Sequence, residues 1–319
     1  MRGLSDRQLA RRYRTLSAAI EDDGDPAVRA LELDLLAGEA VRRSPDSAGF
    51  RYDRGMYAKW RRDWAASREH SRAALDLVAE DARRDLPAAW NLGIAATALH
   101  DWPTARLAWT AFGLPLPDVS DDTVPIEADF GLTPVRLNAD PRFVGEEPAV
   151  IDGRTWDTEV VWGSRLCPAR AQITSVPLPE SGHRFGDIVL HDGDPVGYRH
   201  LGEEKFAVFN EISLWERSTA STHTATVVAP DATAVEELAD LMSAHGGAAE
   251  DWTTSVQLLC RCCSEGTARH EGDAPDQGAW ETERHVGVAG EPAVVERLLG
   301  VWVDDGPSRA IRDLTVALR

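Results

Sequence analysis

Long apolar runs are absent from this 319-residue sequence, and so are the signals that send a chain to a membrane. No stretch approaches the roughly eighteen consecutive apolar residues of a transmembrane helix. The N-terminal stretch MRGLSDRQLARRYRTL has no apolar central region and no small-residue cleavage site, unlike a secretory signal. We therefore expect a cytoplasmic protein that does not associate with membranes.

Cysteine is scarce, and its placement is uneven. The chain holds four cysteines, and three of them lie in the tetrapeptide CRCC at residues 260–263. Four cysteines in this length do not make a disulfide framework. In a reducing compartment the CRCC stretch indicates free thiols or a metal site rather than bridges.

Positive charge is in short supply after the first third of the chain. Of 34 basic and 53 acidic side chains, 18 of each lie in residues 1–118, which leaves 16 basic and 35 acidic residues for 119–319. The whole net charge of −19 therefore lies in that later part. Such a surface repels phosphate backbones and anionic lipids, so neither nucleic acid nor membrane is an expected partner.

The first third does contain an internal repeat. Three stretches align on Asp25, Asp63 and Asp101, at intervals of 38 residues, and Gly55 and Gly93 stand eight residues before the second and third Asp. A small residue midway along one helix lets a second helix approach closely, and an Asp at the turn can cap that second helix. The repeat therefore predicts three helical hairpins.

This repeat resembles the tetratricopeptide repeat (TPR) over about residues 4–118. The third copy carries the residues of the family pattern: Leu92, Gly93, Asp101, Trp102, Ala105, Trp109 and Pro117. The second copy has Arg54 where the family prefers Leu, and the first has Arg29 in the small-residue place. The period exceeds the usual 34 residues by about one helical turn. Another antiparallel helical array is the alternative.

The resemblance implies a partner-binding groove, because the first helix of each TPR pair lines a concave surface. On this chain that surface comprises Tyr52, Met56, Lys59, Trp60, Trp90, Ile94 and Thr97. Exposed aromatic side chains beside charges suit a protein or peptide partner. Alternatively, Trp60 and Trp90 belong to the core or pack against the next domain.

The middle of the chain changes character twice. Residues 119–154 are acidic and contain prolines, which favours a connector. In residues 155–218, β-branched and aromatic runs follow one another without helices between them. This succession predicts a small antiparallel β-barrel or curled sheet.

One polar segment of this region, PLPESGHRFGDIVLHDGDP, supplies the candidate catalytic residues His183, Arg184, Asp187 and His191. Imidazole, guanidinium and carboxylate groups suit general acid–base chemistry or anion binding. The structural alternative is that GHRFGD is a loop between two strands and that Asp192-Gly193 is a hairpin turn. The sequence leaves open whether a reaction is catalysed.

Residues 219–319 predict a ferredoxin-like α/β unit, so the chain as a whole is expected to be an α+β multidomain protein. The strands are expected in THTATVVA, SVQLLC and RHVGVAG, with one helix capped by Asp231 and another beginning near Pro292. SRAIRDLTVAL is expected to be a short final helix. This C-terminal part also resembles uncharacterised TPR-associated proteins of high-GC bacteria.

The cysteine-rich turn of that unit is a candidate zinc site. Cys260 and Cys263 have C-x2-C spacing and His270 follows seven residues later, and thiolate and imidazole are the ligands that zinc prefers. The fourth ligand would come from Cys262, His285, His183 or His191. The alternatives are half-buried structural thiols or a reactive thiol activated by nearby arginines.

Two functional hypotheses follow. The leading one is a cytoplasmic TPR-type adaptor or scaffold that binds a protein or peptide through its helical groove. The other is a zinc-binding protein or enzyme whose site joins the GHRFGD loop to the turn of Cys260, Cys263 and His270. The second hypothesis requires that these two loops lie close together in space.

Overall fold

The structure is a computed structural model that describes residues 5–18, 26–139, 150–151, 154–155, 158–201, 203–255 and 280–319. Helices and antiparallel sheets both occur in these ranges, so the α+β class is confirmed. The chain divides into two compact units, which are described separately below. One comprises residues 1–128, 140–155 and 167–169, and the other comprises residues 129–139, 156–166 and 170–319.

The first unit contains six helices in series within the described ranges. They are α1 Asp6–Ala18, α2 Pro26–Arg43, α3 Ala48–Trp60, α4 Trp64–Asp76, α5 Pro87–Ala98 and α6 Trp102–Phe112, with a 3-10 turn at Glu80–Ala82. Each odd-numbered helix packs on the helix that follows it, and α3 also contacts α2 and α5. Across the described residues of the whole chain, no helix has both the length and the apolar character needed to cross a bilayer.

The repeat glycines lie where the two helices of a pair touch. A Cβ on Gly55 of α3 would lie 2.4 Å from Ser71 Oγ of α4, and a Cβ on Gly93 of α5 would lie 2.5 Å from the Trp109 ring of α6. Both distances are well inside van der Waals contact. The expected close approach at these two glycines is confirmed.

The repeat aspartates cap the second helix of a pair. The Asp63 side chain accepts a hydrogen bond from the backbone N–H of Ala66 at the start of α4. Asp101 accepts one from Thr104 at the start of α6. The capping role is therefore confirmed for these two copies, whereas Asp25 lies outside the described residues.

The second unit begins with strands that pair in a closed ring. The strands of the ring are β1 Leu132–Arg136, β4 Val160–Cys167, β5 Arg170–Ile173, β6 Ile188–Leu201 and β7 Glu204–Glu216. Two short strands of the first unit, β2 Val150–Ile151 and β3 Arg154–Thr155, pair with each other. The ring order is β1-β4-β5-β6-β7, and β7 pairs back with β1. That closing pair is parallel and sets Val135 opposite Phe209.

Three features of this region differ from the prediction. The connector predicted over 119–154 contains β1, a full member of the ring, and the ring is not purely antiparallel. Asp192-Gly193 is not a hairpin turn, because β6 continues to Leu201. Between His191 and Pro195, β6 advances four residues while β7 advances two, so the extra residues form a bulge inside a long strand.

A four-stranded sheet completes the second unit. Its elements are β8 Ser221–Val228, α7 Ala232–Ser243, β9 Ala248–Asp251, α8 Trp252–Ser255, β10 Glu283–Gly290, α9 Pro292–Asp304 and β11 Ala310–Leu318. The strand order is β11-β8-β10-β9, with all neighbours antiparallel. Leu238 and Met242 of α7 and Leu298 and Trp302 of α9 share one core with the sheet. The expected cap at Asp231 is confirmed.

Two elements of this sheet differ from the prediction. SRAIRDLTVAL was predicted as a helix, but Ala310–Leu318 is the strand β11. Ile311, Leu314 and Leu318 fit a helical period, whereas Leu314, Val316 and Leu318 fit the strand period, and a short run does not distinguish the two. The second strand is β9 at Ala248–Asp251, upstream of SVQLLC, most of which lies outside the described residues.

Candidate functional site

The GHRFGD segment is the loop between β5 and β6, as predicted, and it follows a 3-10 turn at Pro179–Ser181. The His183 side chain is buried between two carboxylates. Its Nδ1 lies 3.4 Å from Asp187 Oδ2, and its Nε2 lies 3.1 Å from Glu211 Oε2 on β7. We call His183, Asp187 and Glu211 the His183 cluster.

Both carboxylates of the His183 cluster have further donors. Asp187, which is fully buried, accepts hydrogen bonds from Ser218 N at 2.7 Å and from Arg217 Nη1 at 2.7 Å. Glu211 Oε2 accepts one from Asn138 N at 2.8 Å. Buried charges are stable when they are paired and hydrogen-bonded in this way.

The electrostatics of the cluster fix the charge on His183. Burial alone lowers the pKa of an imidazole, but the charges of Glu211 and Asp187 and their hydrogen bonds outweigh it and raise the pKa of His183 to about 9. The ring is therefore a cation at neutral pH, with a carboxylate facing each nitrogen. A histidine held in this way has no lone pair with which to act as a base, and it anchors the loop instead.

Two further carboxylates hold the same loop from other strands. Glu159 Oε1, just before β4, accepts a hydrogen bond from Leu178 N at 3.0 Å, and Glu250 Oε2 of β9 accepts one from Val176 N at 2.9 Å. Burial raises the pKa of Glu159 to about 7 and also raises the pKa of Glu250. Sequence reasoning missed Glu159, Glu211 and Glu250 because each lies on a different element, far along the chain from the histidine motif.

The other two catalytic candidates differ in their surroundings, and Arg184 contacts the cluster through its backbone N–H, which donates to Asp187 Oδ2 at 3.0 Å. Arg184 Nη1 donates to Ser218 O at 3.3 Å, and Nη2 donates to the carbonyl of Arg319. His191 is buried within β6, where Nδ1 lies 2.9 Å from Asp192 O and the ring stacks on Phe209. Burial lowers the pKa of His191 to about 4, so this ring is neutral. The described contacts therefore join His183 to Asp187, whereas those of His191 are to Asp192 and Phe209.

The residues predicted to line a helical groove are more buried than expected. Ile94 and Thr97 are 0% exposed and Lys59 is 8% exposed, so these three do not offer an open contact surface. Ile94 and Thr97 are buried because α5 is apolar on every side and packs on more than one neighbour.

The aromatic groove candidates take part in packing. The Trp90 ring lies 5.0 Å from the ring of Trp109 and 4.9 Å from that of Phe112, and the Trp60 ring lies 5.4 Å from that of Tyr57. The alternative that both tryptophans belong to the core therefore has direct support. Of the predicted set, the half-buried residues are Tyr52, Met56 and Trp60 of α3 and Trp90 of α5, and the rings of the two tryptophans pack on other aromatic side chains.

The predicted zinc ligands Cys260, Cys263 and His270, and the alternative ligand Cys262, lie outside the described residues. His285 lies exposed on β10. In the part of the chain that the structure does describe, no group of three or more His, Cys, Asp or Glu side chains is arranged so that it could hold a metal ion.

Comparison with known proteins identifies no relative of this chain. No protein-family model matches the chain, and no curated protein or solved structure is significantly similar to it.

Proposed function

We propose that this protein is a cytoplasmic adaptor whose helical unit is a TPR-type repeat that binds a protein or peptide. The observation that carries the proposal is the side-by-side stacking of the first helix of each pair. Tyr13 of α1 donates a hydrogen bond to Asp53 Oδ2 of α3 at 2.6 Å, and α3 in turn contacts α5. In helical-repeat proteins this stacking makes one continuous surface, on which partners bind.

The part of that surface best suited to a partner lies on α3. Tyr52 and Met56 are one helical turn apart, so they lie on the same helix face. Both are half-buried, whereas Ile94 and Thr97 of α5 are fully buried. An aromatic side chain beside a flexible thioether is typical of surfaces that bind peptides. We therefore place the binding surface at Tyr52 and Met56.

The test compares the proteins captured from a lysate of the source cells by three immobilised chains. These are the wild type, a Tyr52→Ala/Met56→Ala double variant, and Leu107→Ala as a control at an exposed apolar residue of α6. We expect a partner that the wild type and the control retain and that the double variant loses, with far-UV circular dichroism unchanged. Trp90→Ala is unsuitable, because Trp90 packs on Trp109 and its loss would disturb the core. Equal capture by all three chains would contradict the proposal.

Zinc binding at Cys260, Cys263 and His270 remains a prediction of the sequence. Elemental analysis of protein purified without a metal-affinity step tests it. About one zinc per chain, lost in Cys263→Ser, would support the site, and metal-free protein would contradict it.

We also propose the finer fold assignments. A ferredoxin-like fold for residues 221–318 is supported by the order β-α-β-β-α-β, apart from the short α8, and by a first strand that lies between the fourth and the third. A curled sheet or small barrel is supported by the ring order of the five strands.

A further inference from the structure

The four-stranded sheet has one face covered by helices and a second face that is polar. Ala225, Val227 and Val286 point into the helix-covered core. Side chains alternate along a strand, so Thr224 and Thr226 of β8 belong to the opposite face. That face is the floor of a pocket of about 530 Å3, a size typical of small-molecule sites.

The strand register places polar residues of three strands in one row on this floor. Thr226 of β8 lies opposite His285 of β10 on one side and opposite Asp313 of β11 on the other. The next row sets Thr224 beside Thr315 of β11. Hydroxyl, imidazole and carboxylate groups therefore converge from three adjacent strands on one pocket.

Trp252 of α8 forms a wall of the pocket. A Cβ on Gly287 of β10 would lie 2.1 Å from the Trp252 ring, so the ring rests directly on the bare backbone of that strand. The indole Nε1 donates to Val176 O at 3.1 Å, which fixes the ring against the loop that leads to His183. The same loop also lines the pocket, with Leu178, Pro179 and Glu180.

The charged residues that line the pocket favour a positively charged ligand. Asp313 and Glu180 both line it and are both exposed, and the described lining residues include no lysine or arginine. Carboxylates and threonine hydroxyls accept hydrogen bonds from an ammonium or guanidinium group, and an indole attracts a cation. The net charge of −19 further attracts cations and repels anions.

We propose that this pocket binds a small organic cation that carries ammonium or guanidinium groups. The site is independent of the helical surface and of the partner proposed for it. It gives the second unit a ligand-binding role, whereas the proposed adaptor function concerns the helical unit.

Isothermal titration calorimetry of the full chain with spermidine and with agmatine tests the proposal. We expect saturable binding of at least one of them at one site per chain. Asp313→Asn and Glu180→Gln should each weaken it about tenfold, because each removes a charged hydrogen-bond acceptor. Both residues are exposed, so neither change should alter the thermal unfolding curve.

Two matched controls distinguish the pocket from general attraction to an acidic protein. Asp240→Asn and Glu236→Gln remove the same charges from exposed positions of α7, on the helix-covered side of the sheet. We expect both to bind as the wild type does. Equal weakening by the controls and the pocket variants would overturn the proposal. The proposal would also be overturned if neither spermidine nor agmatine bound at millimolar concentration.

A third variant tests the shape of the pocket without changing its charge. Gly287→Ala places a methyl group where the Trp252 ring now rests and must displace that ring. We expect binding to fall at least tenfold, whereas Gly300→Ala, whose Cβ would meet no atom within 4 Å, should leave binding unchanged. Full binding by a folded Gly287→Ala protein would contradict the placement of the ligand beside Trp252.

Discussion

At the residue scale, the most unusual groups are the ionisable side chains that hold the loop before β6. His183 is buried as a cation, and Glu159 is a carboxyl group whose pKa of about 7 lies close to physiological pH. Both shifts originate in the fold, so both couple the stability of the second unit to pH.

Glu159→Gln should make the protein more stable at high pH. Burial raises the pKa of Glu159 from 4.5 to about 7, so its contribution to stability is full below pH 4.5 and is lost as the pH rises through 7. Glutamine keeps the oxygen that accepts from Leu178 N and carries no charge. We expect a gain of roughly 1–3 kcal/mol at pH 8.5 and little change at pH 4.5, measured by urea denaturation. A gain of equal size at both pH values would contradict this explanation.

The His183 cluster should stabilise the protein most below neutral pH. The pKa of His183 is raised from 6.5 to about 9, so its contribution is full below pH 6.5 and is lost as the pH rises through 9. We therefore expect His183→Gln to destabilise the protein by roughly 3 kcal/mol more at pH 6 than at pH 9.5 in urea denaturation. His245→Gln, at an exposed histidine, is the control and should show no such difference. A pH-independent cost of His183→Gln would mean that the cluster is not ionic.

At the element scale, the contact between the helices of a pair depends on the absence of a side chain. Gly93→Ala would set a methyl carbon 2.5 Å from the buried Trp109 ring, and we expect it to destabilise the helical unit by about 1–3 kcal/mol. Gly49→Ala lies in α3 with no atom within 4 Å of its Cβ and should instead stabilise by up to about 1 kcal/mol, because alanine favours helix. Thermal unfolding of both variants checks the pair. A neutral Gly93→Ala would show that the helices shift apart at little cost.

The sequence predicts elements well where one local signal dominates. The 38-residue interval with Gly and Asp correctly places the junctions of α3 with α4 and of α5 with α6, since those residues act on neighbours within the same hairpin. Local signals fail at β6, where Asp192-Gly193 and Pro195 indicate a turn. The chain instead forms a bulge between the pairs His191–Glu211 and Pro195–Phe209. Pairing with β7, which no local pattern encodes, keeps that segment in the sheet.

The sites were harder to predict than the elements. The GHRFGD loop identifies His183 and Asp187 together, but Glu211 reaches them from β7 through strand pairing. The pocket has only one faint local signal, the alternating threonines of STHTATVV, because His285 and Asp313 become its neighbours through register alone.

At the scale of the whole molecule, the concentration of negative charge in residues 119–319 should make stability depend on salt. Like charges repel in the compact state, and added salt screens that repulsion. We expect the melting temperature to rise by a few degrees between 0.05 and about 0.5 M NaCl. Sodium sulfate at equal ionic strength is not an adequate control, because sulfate also strengthens apolar burial. A melting temperature that falls with NaCl would indicate that attractive ion pairs outweigh the net repulsion.

The parallel pair of β1 and β7 has a consequence for biosynthesis. A ribosome completes β1 at Arg136 but does not reach the partner residues Phe209 and Asn210 until more than seventy residues later. At about 5–20 residues per second, one edge of β1 would stay unpaired for several seconds. During that time it can pair with the edge of another nascent chain, a known route to aggregation. Slower translation or added chaperones should therefore raise the yield from rapid overexpression. The gain should be larger than the stability of the folded protein alone would predict.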